Sequence, residues 1–253
     1  MSFFTFEDKK IYYEESGNGN PLLFLHGNTA SSKMFVEISK KYTSDFRVIF
    51  IDFLGHGKSE RLYEFPEDLW FFEAQQVIAF LRFKQYENVN IIGTSGGAIV
   101  ALNVALEAPE LVGKVIADSF EGEKTDKKFI DYLLADRKKA MKNESARSFY
   151  AYMHGDDWEQ IVENDTLAII RHSKEIGNFF HRPLSELRSD VLLTGSKKDS
   201  FMYSVSDNYY ETVYCQILKQ LSNGRMYLFE NGDHPAMLTN ADTFYWLSMD
   251  FLS

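Results

Sequence analysis

The chain has 253 residues, of which 45% are hydrophobic and 25% charged, a balance that supports a packed core and excludes an intrinsically disordered chain. Its 27 Lys and Arg against 37 Asp and Glu leave a formal net charge of −10, and with no cluster of basic residues this argues against nucleic acid as a partner. The one cysteine, Cys215, excludes an intramolecular disulfide framework and a multi-cysteine metal or iron–sulfur site.

No apolar stretch approaches the length of a membrane-spanning helix. The opening residues, MSFFTFEDKKIYYEES, lack a basic region followed by an apolar core, so the expected location is cytoplasmic, with no membrane partner. Residues 3–14 read as two short aromatic-rich strands joined around Asp8-Lys9, a hairpin. Gly17-Asn18-Gly19-Asn20-Pro21 is a turn cluster. Leu22 to Leu25 is apolar without alternation, as in a strand covered on both faces. A helix over 33–42 and a second buried strand, Arg47 to Ile51, follow. Pro66 opens a helix that runs to about residue 85, with Glu67 and Asp68 in its first turn, where their charge complements the helix dipole.

Val89 to Ile92 then reads as a strand, Gly93 to Gly97 as a turn, Ala98 to Leu106 as an almost wholly apolar helix, and Val115 to Ala117 as another strand. This alternation predicts βαβ units and a mostly parallel sheet. From Phe120 to about Arg182 charged helical sequence replaces it, with no convincing strand. Alternation returns with a strand at Val191 to Leu193, a helix over 204–221 and a strand from Arg225 to Phe229. A last helix, 237–252, places Met237, Ala241, Phe244, Leu247 or Ser248, and Phe251 on one side. The expected organisation is one α/β core domain, residues 1–119 and 183–253, carrying a helical cap at 120–182.

Gly93-Thr94-Ser95-Gly96-Gly97 has the form G-x-S-x-G between a strand and a helix, the context in which a serine hydroxyl is raised above a sheet edge on a strained turn. Residues without side chains let strand and helix crowd together there. The helix directs its positive end at Ser95, where an oxyanion would develop. Neither a Walker-type phosphate loop nor G-x-G-x-x-G after a strand is present.

Three further islands accompany this turn: His26-Gly27-Asn28, Asp52-Phe53-Leu54-Gly55-His56-Gly57-Lys58-Ser59 and Gly232-Asp233-His234. On these four islands the chain resembles the α/β-hydrolase superfamily over essentially its full length, as a capped serine hydrolase of the carboxylesterase or aminopeptidase kind. The resemblance implies an α/β-hydrolase fold: a mostly parallel eight-stranded sheet flanked by helices, a helical cap inserted after strand six, and a triad in the order Ser–acid–His. It places the nucleophile at Ser95 and the base at His234, which would take the Ser95 proton and deliver it to the leaving group. The acid falls at Asp199, just beyond the seventh strand, with Asp118 after the sixth as the alternative; its task is to hold the imidazole tautomer. The oxyanion hole would use the backbone N–H groups of Asn28 and Gly96. His26 and His56 belong to turns beside the site. His154, His172 and His181 lack tight metal-ligand spacing, and no metal is expected.

A serine nucleophile argues against dehalogenation and Asp-dependent epoxide hydrolysis, and permits ester, thioester, amide or carbon–carbon hydrolysis. Phe120, Phe149, Tyr150, Tyr152, Trp158, Phe179, Phe180, Phe201 and Met202 are the candidates for an apolar wall above Ser95. A capped site implies a small or medium carboxylic ester as substrate, water as the second reactant, and no cofactor. The enzymatic alternative is an aminopeptidase or other amide or thioester hydrolase, in which Glu144, Asp156, Asp157, Glu159 or Glu163 would hold a free amine. A noncatalytic ligand-binding protein on the same fold is the alternative outside enzymology.

Overall fold

The computed structural model describes residues 2–253. β1 (Ser2–Phe6) and β2 (Lys9–Ser16) form the expected hairpin, and Glu7 and Asp8 reverse the chain with φ of 47° and 65°. Left-handed residues at such a two-residue turn match the twist of the flanking strands. β3 (Asn20–Leu25), β4 (Phe46–Ile51), β5 (Val89–Thr94), β6 (Val112–Asp118), β7 (Val191–Ser196) and β8 (Gly224–Phe229) complete an eight-stranded sheet in the order β1-β2-β4-β3-β5-β6-β7-β8. β2 runs antiparallel to both neighbours, and every other pair is parallel.

Among the described residues, ten α-helices accompany the sheet: α1 (Val36–Ser39), α2 (Leu69–Lys84), α3 (Gly96–Glu107), α4 (Lys127–Ala140), α5 (Glu144–His154), α6 (Trp158–Glu175), α7 (Ser200–Tyr203), α8 (Tyr209–Leu218), α9 (Ala236–Thr239) and α10 (Ala241–Leu252). The period-2 geometry of a strand divides its side chains between two cores. Leu23, Leu25, Ile49, Ile51, Val115 and Leu193 face a core shared with α2, α3 and α8. Their neighbours Leu22, Phe24, Val48, Phe50, Ile116 and Leu192 face a second core closed by Phe35, Ile38, Phe244 and Phe251. Both faces are covered, which is why these strands read as unbroken apolar runs.

Four helices depart from the sequence reading. The helix expected over 33–42 is a 3₁₀ turn, Ser32–Phe35, followed by the short α1. α2 starts at Leu69 and not at Pro66, so Glu67 lies outside it and Asp68 is its N-cap. Phe65 explains the delay: it is buried with Leu69, Ile161 and Ala168, and its carbonyl accepts from Arg171 at 2.6 Å, which holds the preceding chain in a loop. The helix expected over 204–221 is confined to α8, because Asn208 before it takes a left-handed φ of 54°. The final helix is broken at Asn240, whose Nδ2 donates to Ser196 Oγ at 3.1 Å on β7. A side-chain bond of this kind competes with continuing the helix.

Between β6 and β7 the chain leaves the sheet for α4, α5 and α6, and a bridge between Lys124 and Asn178 joins the two ends of the excursion. Among the described residues, no helix is long and apolar enough to cross a membrane.

The tightest packing is where α3 leaves β5. A Cβ added at Gly97 would lie 2.2 Å from the carbonyl oxygen of Leu25 and 2.6 Å from that of His26, both on the backbone of the neighbouring strand end. Gly97→Ala is therefore expected to cost about 1–3 kcal/mol or more, the range for overpacking a filled core. Urea denaturation tests this as a lowered midpoint at unchanged slope. An unchanged midpoint would show that α3 can move off the sheet.

Candidate active site

Ser95 is the single residue between β5 and α3, and its backbone sits at φ 54°, ψ −127°. A residue with a Cβ is strained there by an amount of order 1–3 kcal/mol and stays only where its surroundings enforce it. Two contacts do so. Its N–H donates to the Asp118 carbonyl at 2.7 Å, and Ala98 N–H donates to its own carbonyl at 2.9 Å. Gly27 supplies the room, since a Cβ added there would lie 2.9 Å from Ser95 Cβ.

His234 stands on the loop after β8. Its Nε2 lies 3.1 Å from Ser95 Oγ and its Nδ1 2.8 Å from Asp199 Oδ2. Asp199 follows β7, where it caps α7: its Oδ1 accepts from Phe201 N–H and Met202 N–H, both at 3.1 Å. Its Oδ2 also accepts from the Tyr210 hydroxyl at 2.7 Å. Burial pushes the Asp199 carboxyl up, but the charge of His234 and these hydrogen bonds outweigh it and hold the group below its ordinary 3.8. Burial likewise pushes His234 down, and the Asp199 carboxylate outweighs it, with help from Asp118 and Glu121, leaving the imidazole above 6.5. An imidazole that donates from Nδ1 to a carboxylate presents the Nε2 lone pair to Ser95, which is the tautomer needed to accept its proton.

The alternative acid, Asp118, occupies a different place. It accepts from Thr94 Oγ1 at 2.8 Å, Thr194 Oγ1 at 2.7 Å and Met237 N–H at 3.1 Å. The two threonines tie β5 and β7 to β6 at one level of the sheet, where Thr94, Asp118 and Thr194 are paired in register, and Met237 belongs to α9. Burial raises its carboxyl to about 6. Asp199 touches the imidazole; Asp118 bonds to the sheet beneath it.

The segments that carry the Asn28 and Gly96 N–H groups are in contact. Gly96 opens α3, so its N–H has no intrahelical acceptor. A Cβ on Gly96 would lie 2.2 Å from Asn28 Oδ1, which itself accepts from Trp70 Nε1 at 3.2 Å.

A cavity of about 380 Å³ reaches Ser95 and His234. The loop after β3 forms one wall, and Phe129, Leu133 and Arg137 of α4, Phe149 and Tyr150 of α5 and Ile169 of α6 form another. Of the side chains expected in this wall, Phe149, Tyr150 and Phe201 line it. The others do not. Phe120 stacks on Tyr214 with ring centres 5.3 Å apart, and Phe179 meets Trp70 edge-on at 4.8 Å. Phe180 and Met202 belong to the main core. Trp158 stacks behind Tyr150 in a small satellite cluster, and Tyr152 is 55% exposed on the outside of α5. An aromatic residue on an amphipathic helix has one sequence signature whether it lines a pocket or fastens the helix, and only the facing element separates the two.

The polar part of the cavity differs from expectation in the same way. Glu144, Asp156, Asp157, Glu159 and Glu163 are exposed and do not line it. Glu121, Asp136 and Asp233 do. Glu121 is nearly buried, and burial lifts its carboxyl to about 7. Arg137 donates from Nη1 to the Tyr150 hydroxyl at 2.8 Å. Phe129 and Leu133, absent from the expected wall, are an i, i+4 apolar pair, a spacing that marks the inward face of α4.

The family model described as alpha/beta hydrolase fold matches residues 20–158. The chain is 26% identical to the 2-hydroxy-6-oxo-6-phenylhexa-2,4-dienoate hydrolase of Comamonas testosteroni, over 97% of this chain and 92% of that protein. It is 24% identical to the serine hydrolase BPHL of Homo sapiens, over 96% and 83% of the two chains. Among solved structures, the esterase EaEST of Exiguobacterium antarcticum superposes with a TM-score of 0.76 at 20% identity, over 99% of this chain and 98% of that one. With more than half of its residues matched by the family model, and with the sheet order and the turn at Ser95 described above, the chain belongs to the α/β-hydrolase family.

Proposed function

We propose that the protein is a serine hydrolase that cleaves a small or medium carboxylic ester through an acyl-enzyme on Ser95. The observation that carries this reading is the continuous relay from Ser95 Oγ to His234 Nε2 at 3.1 Å and from His234 Nδ1 to Asp199 Oδ2 at 2.8 Å, at a cavity that admits a substrate. Ser95 Oγ attacks the ester carbonyl as His234 Nε2 takes its proton. The carbonyl oxygen becomes negative facing the N–H groups of Gly96 and Asn28. Collapse of the tetrahedral species expels the alcohol, protonated by His234. A water molecule then gives His234 its proton, attacks the acyl carbon and restores Ser95 as the acid product leaves. Asp199 stays ionised throughout and stabilises the imidazolium.

Helices α4–α6 act as the cap in this reading, and their apolar side chains Leu133, Phe149 and Ile169 suit an acyl chain. The cavity, about 380 Å³, lies at the small end of the range for ligand sites. Amide hydrolysis is the second reading, favoured by the two carboxylates Glu121 and Asp136 in the cavity wall. The ester reading takes precedence because an alkoxide leaving group demands less protonation than an amine.

A serine-directed fluorophosphonate is expected to add once, at Ser95, as seen by intact-protein mass spectrometry; equal labelling of Ser95→Ala would refute the nucleophile. Short p-nitrophenyl and alkyl esters should turn over well above the Ser95→Ala background and faster than aminoacyl amides, and the reverse order would assign amide hydrolysis. Asp199→Asn is expected to lower kcat by about 10²–10⁴, and Asp118→Asn by less than about tenfold. The opposite ranking would move the acid to Asp118.

The pH dependence has a fixed sign. The base must be neutral, and Asp199 raises His234 above 6.5, so the acid limb of kcat/KM lies above that value and moves to lower pH in Asp199→Asn. Stability follows the same pair. The lowered Asp199 contributes above its ordinary 3.8 and loses that contribution as pH falls through its folded value. The raised His234 contributes fully below 6.5 and loses its contribution as pH rises through its folded value. The stability gap between wild type and Asp199→Asn should therefore be widest between about pH 4 and 6.5 in denaturation series.

A further inference from the structure

We propose that the inserted helices build the oxyanion hole: Asp165 on α6 and His154 on α5 fix Thr29, and with it the adjoining Asn28 N–H, in the geometry that receives the negative oxygen. The inference rests on the Ser95 hydrolase reading above. Neither side chain touches the reacting atoms, so both are positioning residues.

The loop after β3 has few bonds of its own, Ala30 N–H to the Gly27 carbonyl at 3.3 Å and Thr29 Oγ1 to the Asn28 carbonyl at 2.7 Å, and neither engages the Thr29 N–H or carbonyl. Thr29 lies at φ 55°, a left-handed placement that a β-branched residue adopts only under constraint. The constraint comes from the inserted helices on both sides of this one residue. Its N–H donates to Asp165 Oδ2 at 2.9 Å, and its carbonyl accepts from His154 Nε2 at 3.0 Å. His154 Nδ1 accepts from Gly57 N–H at 3.1 Å, which fixes the proton on Nε2. Burial pushes this imidazole down to about 3, so it stays neutral and keeps that tautomer.

Asn28 is gripped as firmly. Its Nδ2 donates to both Asp165 oxygens at 3.2 Å, and its Oδ1 accepts from Trp70 Nε1 at 3.2 Å. The held side chain sits where a Cβ on Gly96 would stand, 2.2 Å from its Oδ1. One clamp therefore sets the distance between the two segments that supply the N–H donors. Further along the loop, Ser31 Oγ donates to the Met153 carbonyl of α5 at 3.1 Å. Asp165 is wholly buried and accepts additionally from His56 Nε2 at 3.1 Å. A buried carboxylate is costly unless it is saturated with donors, and here the donors come from the loop and from the turn behind it. Undocking these helices would deform the hole as well as uncover the cavity.

The test compares wild type, Asp165→Asn and Trp70→Phe as full-length folded proteins. The readouts are kcat and KM on a p-nitrophenyl ester, and the inhibition constant of an alkyl boronic acid that forms a tetrahedral adduct on the serine. Removing an oxyanion donor outright costs about 10²–10³ in kcat, so displacing one should cost about ten- to a hundredfold in Asp165→Asn. Boronate affinity should fall by the same factor while KM stays within about threefold, the signature of an interaction made only in the transition state. Trp70→Phe, which frees the other side of Asn28, should show the same pattern with a smaller loss. The proposal is overturned if folded Asp165→Asn keeps kcat within about threefold of wild type, or if KM and boronate affinity weaken together as in a merely loosened cavity. Should Asp165→Asn fail to fold, His154→Gln decides by the same criteria. A wild type that hydrolyses esters and is matched by these variants overturns this inference alone; a wild type that neither hydrolyses esters nor takes the boronate overturns the hydrolase reading with it.

Discussion

The close approach of three backbones at Ser95 is the constraint on which the rest of this structure depends. β3, β5 and the start of α3 converge so tightly that Cβ atoms added at Gly93 and Gly97 would lie 2.1 and 2.2 Å from backbone carbonyl oxygens of Gly97 and Leu25. That convergence forces the left-handed turn at Ser95, aligns the N-terminal end of α3 with the hydroxyl and brings the loop after β3 into contact with Gly96. A looser junction would let Ser95 relax into an ordinary conformation and would lower its hydroxyl toward the sheet.

Around this fixed point, two buried aspartates show how donors set the fate of a carboxyl group. Asp118 ends β6 and Asp199 lies just beyond β7, at the same end of the sheet, and burial pushes both upward. Asp118 meets two hydroxyls and one amide, which offset burial only partly, and it rises to about 6. Asp199 meets an imidazole, a phenol and two amides, and it falls below 3.8. The His234 charge lowers both groups, but it outweighs desolvation only at Asp199, which the imidazole bonds directly.

The helices between β6 and β7 contribute to the site in two ways. They supply one wall of the cavity, and through Asp165 and His154 they reach past it to the loop beneath. Their outer surface carries the exposed acids and Tyr152, while their inner face holds the few side chains that meet the cavity. Shape and polarity of the cavity therefore depend on how the helices are rotated about their axes, a quantity set by packing against Phe65, Leu69 and the loop after β3.

The sequence by itself determined the alternation of strands and helices, because apolar runs, glycine turns and 3.6-residue periodicity are local properties. It located every strand, the turn at Ser95 and the helical excursion after β6, whereas His234 and the competing aspartates stood out only through the resemblance to the α/β-hydrolase family. Helix limits were less legible. Asn240 and Phe65 end or delay helices through bonds to β7 and α6, residues far away in the chain. The cavity wall was legible only in part, for an aromatic residue reads alike whichever way its helix is turned. Only the tertiary structure decided that Asp199 and not Asp118 meets the imidazole, and that Asp165 lies against Thr29 and Asn28 from 136 and 137 residues away. These are contacts between groups whose individual sequence environments are ordinary, and a hydrogen bond requires two such groups to be brought together by packing that no short window of sequence records.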